Sequence, residues 1–282
     1  MQIPRYASTS EIPRVAVAGI PFAATSCQEA VAVVLSEIRQ PNRQHYPIRF
    51  SNAYCVALAS RDLGYRRQLQ DAGVNFPDGA PIALYMQRNG GSEFAQSLRV
   101  RGPSFFELAL RRGVDEGVRH FFLGSTTETM NRLVAAAHQR NPGIKIVGTY
   151  APPFGPVSAE LLNEATKRIA DSKPDIVWVG MGTPKQDWVT AELSRMTSTT
   201  CAGVGAAFDF LAGTVREAPL WIQQSGLEWL FRLAMEPRRL WKRYLIGNFT
   251  FVYHAERYLH HGRRRSSQRA AIEAGVDKEA RR

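Results

Sequence analysis

Short apolar runs alternate with longer stretches in which apolar residues recur at helical spacing. The run Val15 to Ile20 predicts a first strand. Ser26 then stands where a helix N-cap belongs, and Glu29, three residues on, completes a capping-box pattern. Ala30, Val33, Val34 and Ile38 hold the helical period until Pro41-Asn42 breaks it. Further strands are predicted at Ile48–Ser51, Val74–Phe76, His120–Leu123, Ile144–Gly148, Pro174–Val179 and Cys201–Gly205. Between them the pattern predicts helices over 53–60, 62–72, 81–87, 104–112, 127–140 and 185–196, and another that starts at Ser158. Residues 89–98 are polar and Gly-rich and predict a mobile loop.

Strands that alternate with helices in this way call for a Rossmann-like α/β fold. Its sheet is mostly parallel, with helices on both faces. Ligands of such sheets gather at the carboxyl ends of the strands. Phe76-Pro77-Asp78-Gly79 lies at such an end and places one short carboxylate at a strand-to-helix turn. A fixed aspartate in a cleft is a natural general base, although Pro-Asp-Gly is also ordinary turn chemistry. Two more turns, Gly124-Ser125-Thr126 and Gly180-Met181-Gly182-Thr183, each follow a strand and open a helix. Their backbone N–H groups suit a phosphate, and Lys185-Gln186 comes directly after the second. Glycine in tight turns explains the same residues without a ligand.

Composition narrows the partners. Hydrophobic residues make up 44% and charged residues 22%, as in an ordinary globular protein of 282 residues. The net charge is +11. From Arg232 onward there are 13 Lys and Arg against 5 Asp and Glu, so most of the excess sits in the last segment. That asymmetry points to an anionic partner, phospholipid or nucleic acid. Cys27, Cys55 and Cys201 form no metal-ligand pattern, which argues against a zinc site and for a reducing compartment. No Walker A or GxGxxG motif is present. No signal peptide and no membrane span is read, so the expected location is the cytoplasm or the cytoplasmic face of a membrane.

Several segments stand in one family's order. They are Asn52; Phe76-Pro77-Asp78-Gly79; Arg99-Val100-Arg101-Gly102; Gly180-Met181-Gly182-Thr183-Pro184-Lys185-Gln186-Asp187; Gly203-Val204-Gly205; and the run from Arg216 through Gly226-Leu227-Glu228-Trp229-Leu230-Phe231-Arg232 to Glu236-Pro237-Arg238-Arg239. Over residues 15 to 245 the chain resembles the TagA/WecG/CpsF glycosyltransferases, glycosyltransferase family 26. The resemblance implies an inverting, metal-independent transfer from a UDP-sugar to a sugar on a polyprenyl diphosphate, with no cofactor. It implies Asp78 as general base, with Arg99 and Gln186 as catalytic partners. Asn52, Lys185 and Asp187 match family positions around them. The family often carries Thr where this chain has Phe50, and Glu where it has Asp187. Phe50 and the long tail lean away from the teichoic-acid type toward a capsule or exopolysaccharide enzyme.

The expected organisation is an arm over 1–14, a catalytic domain over 15–225, a basic aromatic appendage over 226–260 and a disordered basic tail over 261–282. In the appendage, Arg238, Arg239, Lys242 and Arg243 share one helical face beside Leu233, Leu240, Trp241 and Tyr244. That describes an interfacial helix on anionic lipid. The resemblance adds that Arg232 and Arg239 reach the diphosphate. The alternatives are a basic-tailed nucleic-acid-binding protein and an inactive lipid-docking protein. A homo-oligomer stays open.

Overall fold

The computed structural model describes residues 4–41, 43–90 and 99–261, apart from the side chain of Arg239. The predicted loop beyond Gly90 and the predicted tail beyond residue 261 lie outside the described residues. Strands β1 (Arg14–Val17) and β2 (Ile20–Ala23) form an antiparallel hairpin. Six strands, β3 (Pro47–Ser51), β4 (Val74–Pro77), β5 (Arg119–Gly124), β6 (Lys145–Tyr150), β7 (Ile176–Gly180) and β8 (Thr200–Gly203), build one parallel sheet. Its order is β4-β3-β8-β7-β5-β6. The Rossmann-like α/β class is therefore the observed one.

The hairpin corrects the single strand expected over Val15 to Ile20. Ala18 and Gly19 both take positive φ, 51° and 80°, which makes a tight two-residue hairpin turn. The capping box at Ser26 is also only half made. Ser26 accepts the Glu29 N–H, while the Glu29 carboxylate accepts the backbone N–H of Arg5 instead.

Helices α1 (Cys27–Ile38), α2 (Ala53–Ala59), α3 (Leu63–Gln70), α4 (Ala80–Gly90), α5 (Gly102–Asp115), α6 (Thr127–Arg140), α7 (Ala159–Ser172), α8 (Lys185–Thr197) and α9 (Ala207–Ala212) cover the sheet. The two-residue period of each strand decides which core it feeds. Phe122 and Trp178 enter one core with Phe50, Phe76 and residues of α1, α5, α6 and α9. Phe121, Leu123, Val177 and Val179 enter the opposite core with α7 and α8. The hairpin, α2, α3 and α4 form a third cluster at the β4 edge, joined by Phe251 and Ala255. Helix α5 begins at Gly102, ahead of the expected Ser104 cap.

The appendage differs from the expected continuous helix. After α10 (Leu220–Ser225), α11 (Glu228–Met235) ends at Glu236, whose φ of −134° is not helical. Pro237 supplies the reason, because the residue before proline is pushed out of the helical region. Helix α12 (Pro237–Trp241) then passes through a π-helical turn, Lys242–Ile246, into a helix over 247–261. Break and wide turn together divide the expected basic face. Arg243 folds over the Tyr54 ring at 4.7 Å, whereas Arg238 is exposed. Among the described residues no helix is long and apolar enough to cross a membrane.

Candidate active site

The crossover from β5 runs to β6 on one side, and the crossover from β7 runs to β8 on the other. The connections therefore diverge between β5 and β7, and a crevice opens outside their carboxyl ends. Gly124-Ser125 and Gly180-Met181-Gly182 stand at that point, tied by a 3.1 Å bond from the Ser125 N–H to the Gly180 carbonyl. Only glycine fits at 124: its φ is +119°, and a Cβ there would sit 2.6 Å from the Gly180 carbonyl oxygen. A cleft of about 880 Å³ opens over these loops. Asn52, Asp78, Ser125, Gly180, Gly182, Lys185, Gln186 and Arg232 all line it, so most of the expected residues meet in one place. Gly124 supports the floor from the strand end below.

Asp78 follows β4 directly, with its N–H on the Ser51 carbonyl at 3.0 Å. No hydrogen bond fixes its carboxylate among the described residues. Its side chain faces both the large cleft and a smaller cavity of about 80 Å³; Asn52, Glu228 and Arg232 border both as well. Burial raises its pKa, and the Glu228 charge adds to the rise. Arg99, Arg101 and Arg232 oppose it without cancelling it. The result is a carboxylate more basic than usual, as a proton acceptor needs.

Asn52 caps α2, its Oδ1 accepting from the N–H of Tyr54 at 3.0 Å and of Cys55 at 3.4 Å. Gln186 is buried and bridges two loops. Its Oε1 accepts the Gly182 N–H at 3.1 Å, and its Nε2 donates to the Gly203 carbonyl at 3.0 Å. Lys185 donates to the Gly155 carbonyl at 2.5 Å. Asp187 turns away from the cleft. It is buried against Tyr65, whose hydroxyl donates to it at 2.6 Å, and burial lifts its pKa to about 6.

Arg99 borders the smaller cavity, where it donates to the Gln223 carbonyl and to Glu228, each at 2.5 Å. Arg101 meets the same carboxylate through Nε at 3.0 Å and Nη2 at 2.8 Å, and pairs with Glu217 at 2.6 Å. Burial alone would raise Glu228, yet the bonds from Arg101 and Arg99 hold it below the ordinary carboxylate value. Arg232, from α11, lies over the Phe210 ring at 5.6 Å and makes no ion pair among the described residues. The side chain of Arg239 lies outside the description.

Sequence reasoning did not assign site roles to Glu228, Arg101 and Arg243. Their signal was present, since Glu228 belongs to the Gly226-Leu227-Glu228-Trp229 run and Arg101 to Arg99-Val100-Arg101. What was missing was their meeting across more than a hundred residues. Phe50 is buried in the core beneath the cleft, stacked on Phe76 at 5.8 Å and tilted against Phe105 at 5.0 Å. Among the described residues no group of three or more His, Cys, Asp or Glu side chains could hold a metal ion.

Comparison with known proteins identifies the family. A family profile described as "Glycosyl transferase WecG/TagA/CpsF family" matches residues 15–265. An N-acetylglucosaminyldiphosphoundecaprenol N-acetyl-beta-D-mannosaminyltransferase of Staphylococcus aureus strain MW2 is 27% identical over 245 residues, covering 86% of this chain and 92% of that protein. The protein of the same name from strain NCTC 8325 / PS 47 is 26% identical over the same length. The chain belongs to the WecG/TagA/CpsF family and is a glycosyltransferase.

Proposed function

We propose that this enzyme moves a sugar from a UDP-sugar to a hydroxyl of a saccharide carried on a polyprenyl diphosphate. The observation that carries this reading is the position of Asp78 on the wall shared by two cavities. The donor occupies the large cleft, with its diphosphate against the Ser125 and Gly182 loops and its anomeric carbon at Asp78. The acceptor hydroxyl enters from the smaller cavity. Asp78 takes its proton, the freed oxygen bonds the anomeric carbon, and the bond from that carbon to the diphosphate oxygen breaks. UDP leaves with the electron pair. Arg232 and Lys185 make no ion pair among the described residues and supply positive charge to it. No metal is required by this scheme. The inversion results from attack and departure on opposite faces.

The transferred sugar is N-acetylmannosamine, and the acceptor sugar N-acetylglucosamine. Support comes from the names of the S. aureus relatives. A capsule or exopolysaccharide product finds no support there. The enzyme works at the inner face of the cell membrane. Leu220 and Trp221 on α10, and Phe249 and Tyr253 on the appendage, are all more than 60% exposed, which fits an interfacial surface. The nucleic-acid alternative is weaker, since it gives no role to the cleft that gathers Asp78, Ser125, Lys185 and Gln186.

The test is UDP release from a panel of UDP-sugars with a short-chain polyprenyl-diphosphate N-acetylglucosamine, with and without a chelator. Asp78→Asn is expected to lose about 10² to 10⁴ in turnover while keeping donor binding. Release that is independent of acceptor, or a fully active Asp78→Asn, would refute the scheme. Loss of activity on chelation would refute the metal-free part.

A further inference from the structure

We infer that Phe154 is the platform on which the nucleobase of the donor stacks, and that it helps to set which nucleotide the cleft accepts. This rests on the donor reading above.

Phe154 is the most exposed large apolar side chain among the described residues, at 108% of its reference accessibility, and it lines the cleft. An aromatic ring left wholly in water gains by being covered. Pro152 and Pro153 precede it and restrict the backbone that presents it. From the other side, Lys185 holds the loop through the Gly155 carbonyl at 2.5 Å.

Strand order then sets the sequence of the loops along the sheet edge. Asp78 leaves β4 at one edge of the sheet, and the Phe154 loop leaves β6 at the other. The Gly182 and Ser125 loops leave β7 and β5 between them. A nucleotide sugar is ordered in the same way, with the reacting sugar at one end, the diphosphate in the middle and the base at the far end. With the sugar at Asp78 and the phosphates at the switch point, the base arrives at the β6 side. A base offers a flat π-face there, and a phenyl ring stacks on it. Lys185 links the middle of this arrangement to its far end, because it stands beside the Gly182 loop and grips the base loop at once.

Calorimetric titration with UDP and with inorganic pyrophosphate tests the inference in the wild type, Phe154→Ala and Phe154→Trp. The side chain packs against no core, so both variants should fold. Phe154→Ala is expected to weaken UDP about tenfold and to leave pyrophosphate unchanged, and Phe154→Trp to restore UDP binding. With turnover as readout, the donor KM should rise while kcat holds. UDP affinity within twofold of wild type in Phe154→Ala would overturn the inference and leave the donor reading intact. A wild type that binds no UDP would overturn both. Unchanged UDP binding with lost sedimentation on anionic liposomes would reassign Phe154 to the membrane surface and overturn it too.

Discussion

Replacing Glu228 by Gln tests how the appendage is held at the site. Glu228 accepts from Arg99 Nη2 at 2.5 Å and from Arg101 Nε and Nη2 at 3.0 and 2.8 Å. All three side chains are well covered, at 13% exposure for Glu228, 22% for Arg99 and 7% for Arg101. Removing one partner of such a buried pair costs about 3–5 kcal/mol. Glutamine keeps one acceptor oxygen, so about 3 kcal/mol is the reasonable figure. At about 1.4 kcal/mol per tenfold, local opening of the segment should become about a hundred times more frequent. Native-state hydrogen exchange read by mass spectrometry should show this over Leu220–Met235, with the amides of β5 and β7 unchanged. The same substitution removes a negative neighbour of Asp78 and releases two guanidinium groups toward it. Both effects lower the Asp78 pKa, so the acid limb of kcat/KM should move to lower pH. Exchange indistinguishable from wild type, or an acid limb displaced upward, would refute the clamp and the electrostatics drawn from it.

Further outcomes are expected elsewhere. Gln186→Ala leaves the Gly182 N–H and the Gly203 carbonyl without their side-chain partner; about 1–3 kcal/mol of stability should be lost. Thermal melts and a raised donor KM check this. His120 is buried with its Nδ1 accepting from Trp178 Nε1 at 3.1 Å, and burial lowers its pKa to about 4. Unfolded, it binds a proton near pH 6.5. Its contribution to stability is therefore present above that value and lost as pH falls through about 4. NMR titration should find its ring neutral down to that pH, and denaturant melts should show the matching loss. The double variant Trp221→Ser, Phe249→Ser should sediment less with anionic liposomes at unchanged melting temperature, since both side chains are mostly in water already.

The sheet was legible because each strand is a short apolar run closed by a turn residue, and the helices between them keep their period. Asp78 and the two glycine turns were legible as positions at strand ends, and Gln186 as a match to the family's motif. Their neighbours across the cleft were not. Glu228 meets Arg99 from 129 residues away, and no local pattern encodes that pairing. The family resemblance made Arg99 a catalytic partner without showing that the fold gives it a carboxylate of its own. The hairpin at Ala18-Gly19 escaped because alanine is an unusual carrier of positive φ. The appendage break was readable from Pro237, but helical spacing was extended across it. Phe50 was read as a missing hydroxyl, and only its stack on Phe76 and Phe105 shows what it does in this chain.

The place of the appendage in the chain has a consequence for biosynthesis. Every strand of the six-stranded sheet lies between residues 47 and 203, and the small hairpin precedes them. The floor of the cleft can therefore take shape before the helices beyond Leu220 have been translated. Glu228, Arg232 and Arg243 come later, and they form the wall behind Asp78. A nascent chain thus acquires the floor of the cleft first and the wall beside Asp78 afterwards, together with an exposed aromatic surface. If the proposed function holds, competence for transfer and the surface proposed to meet lipid arise from the same later stretch of the chain.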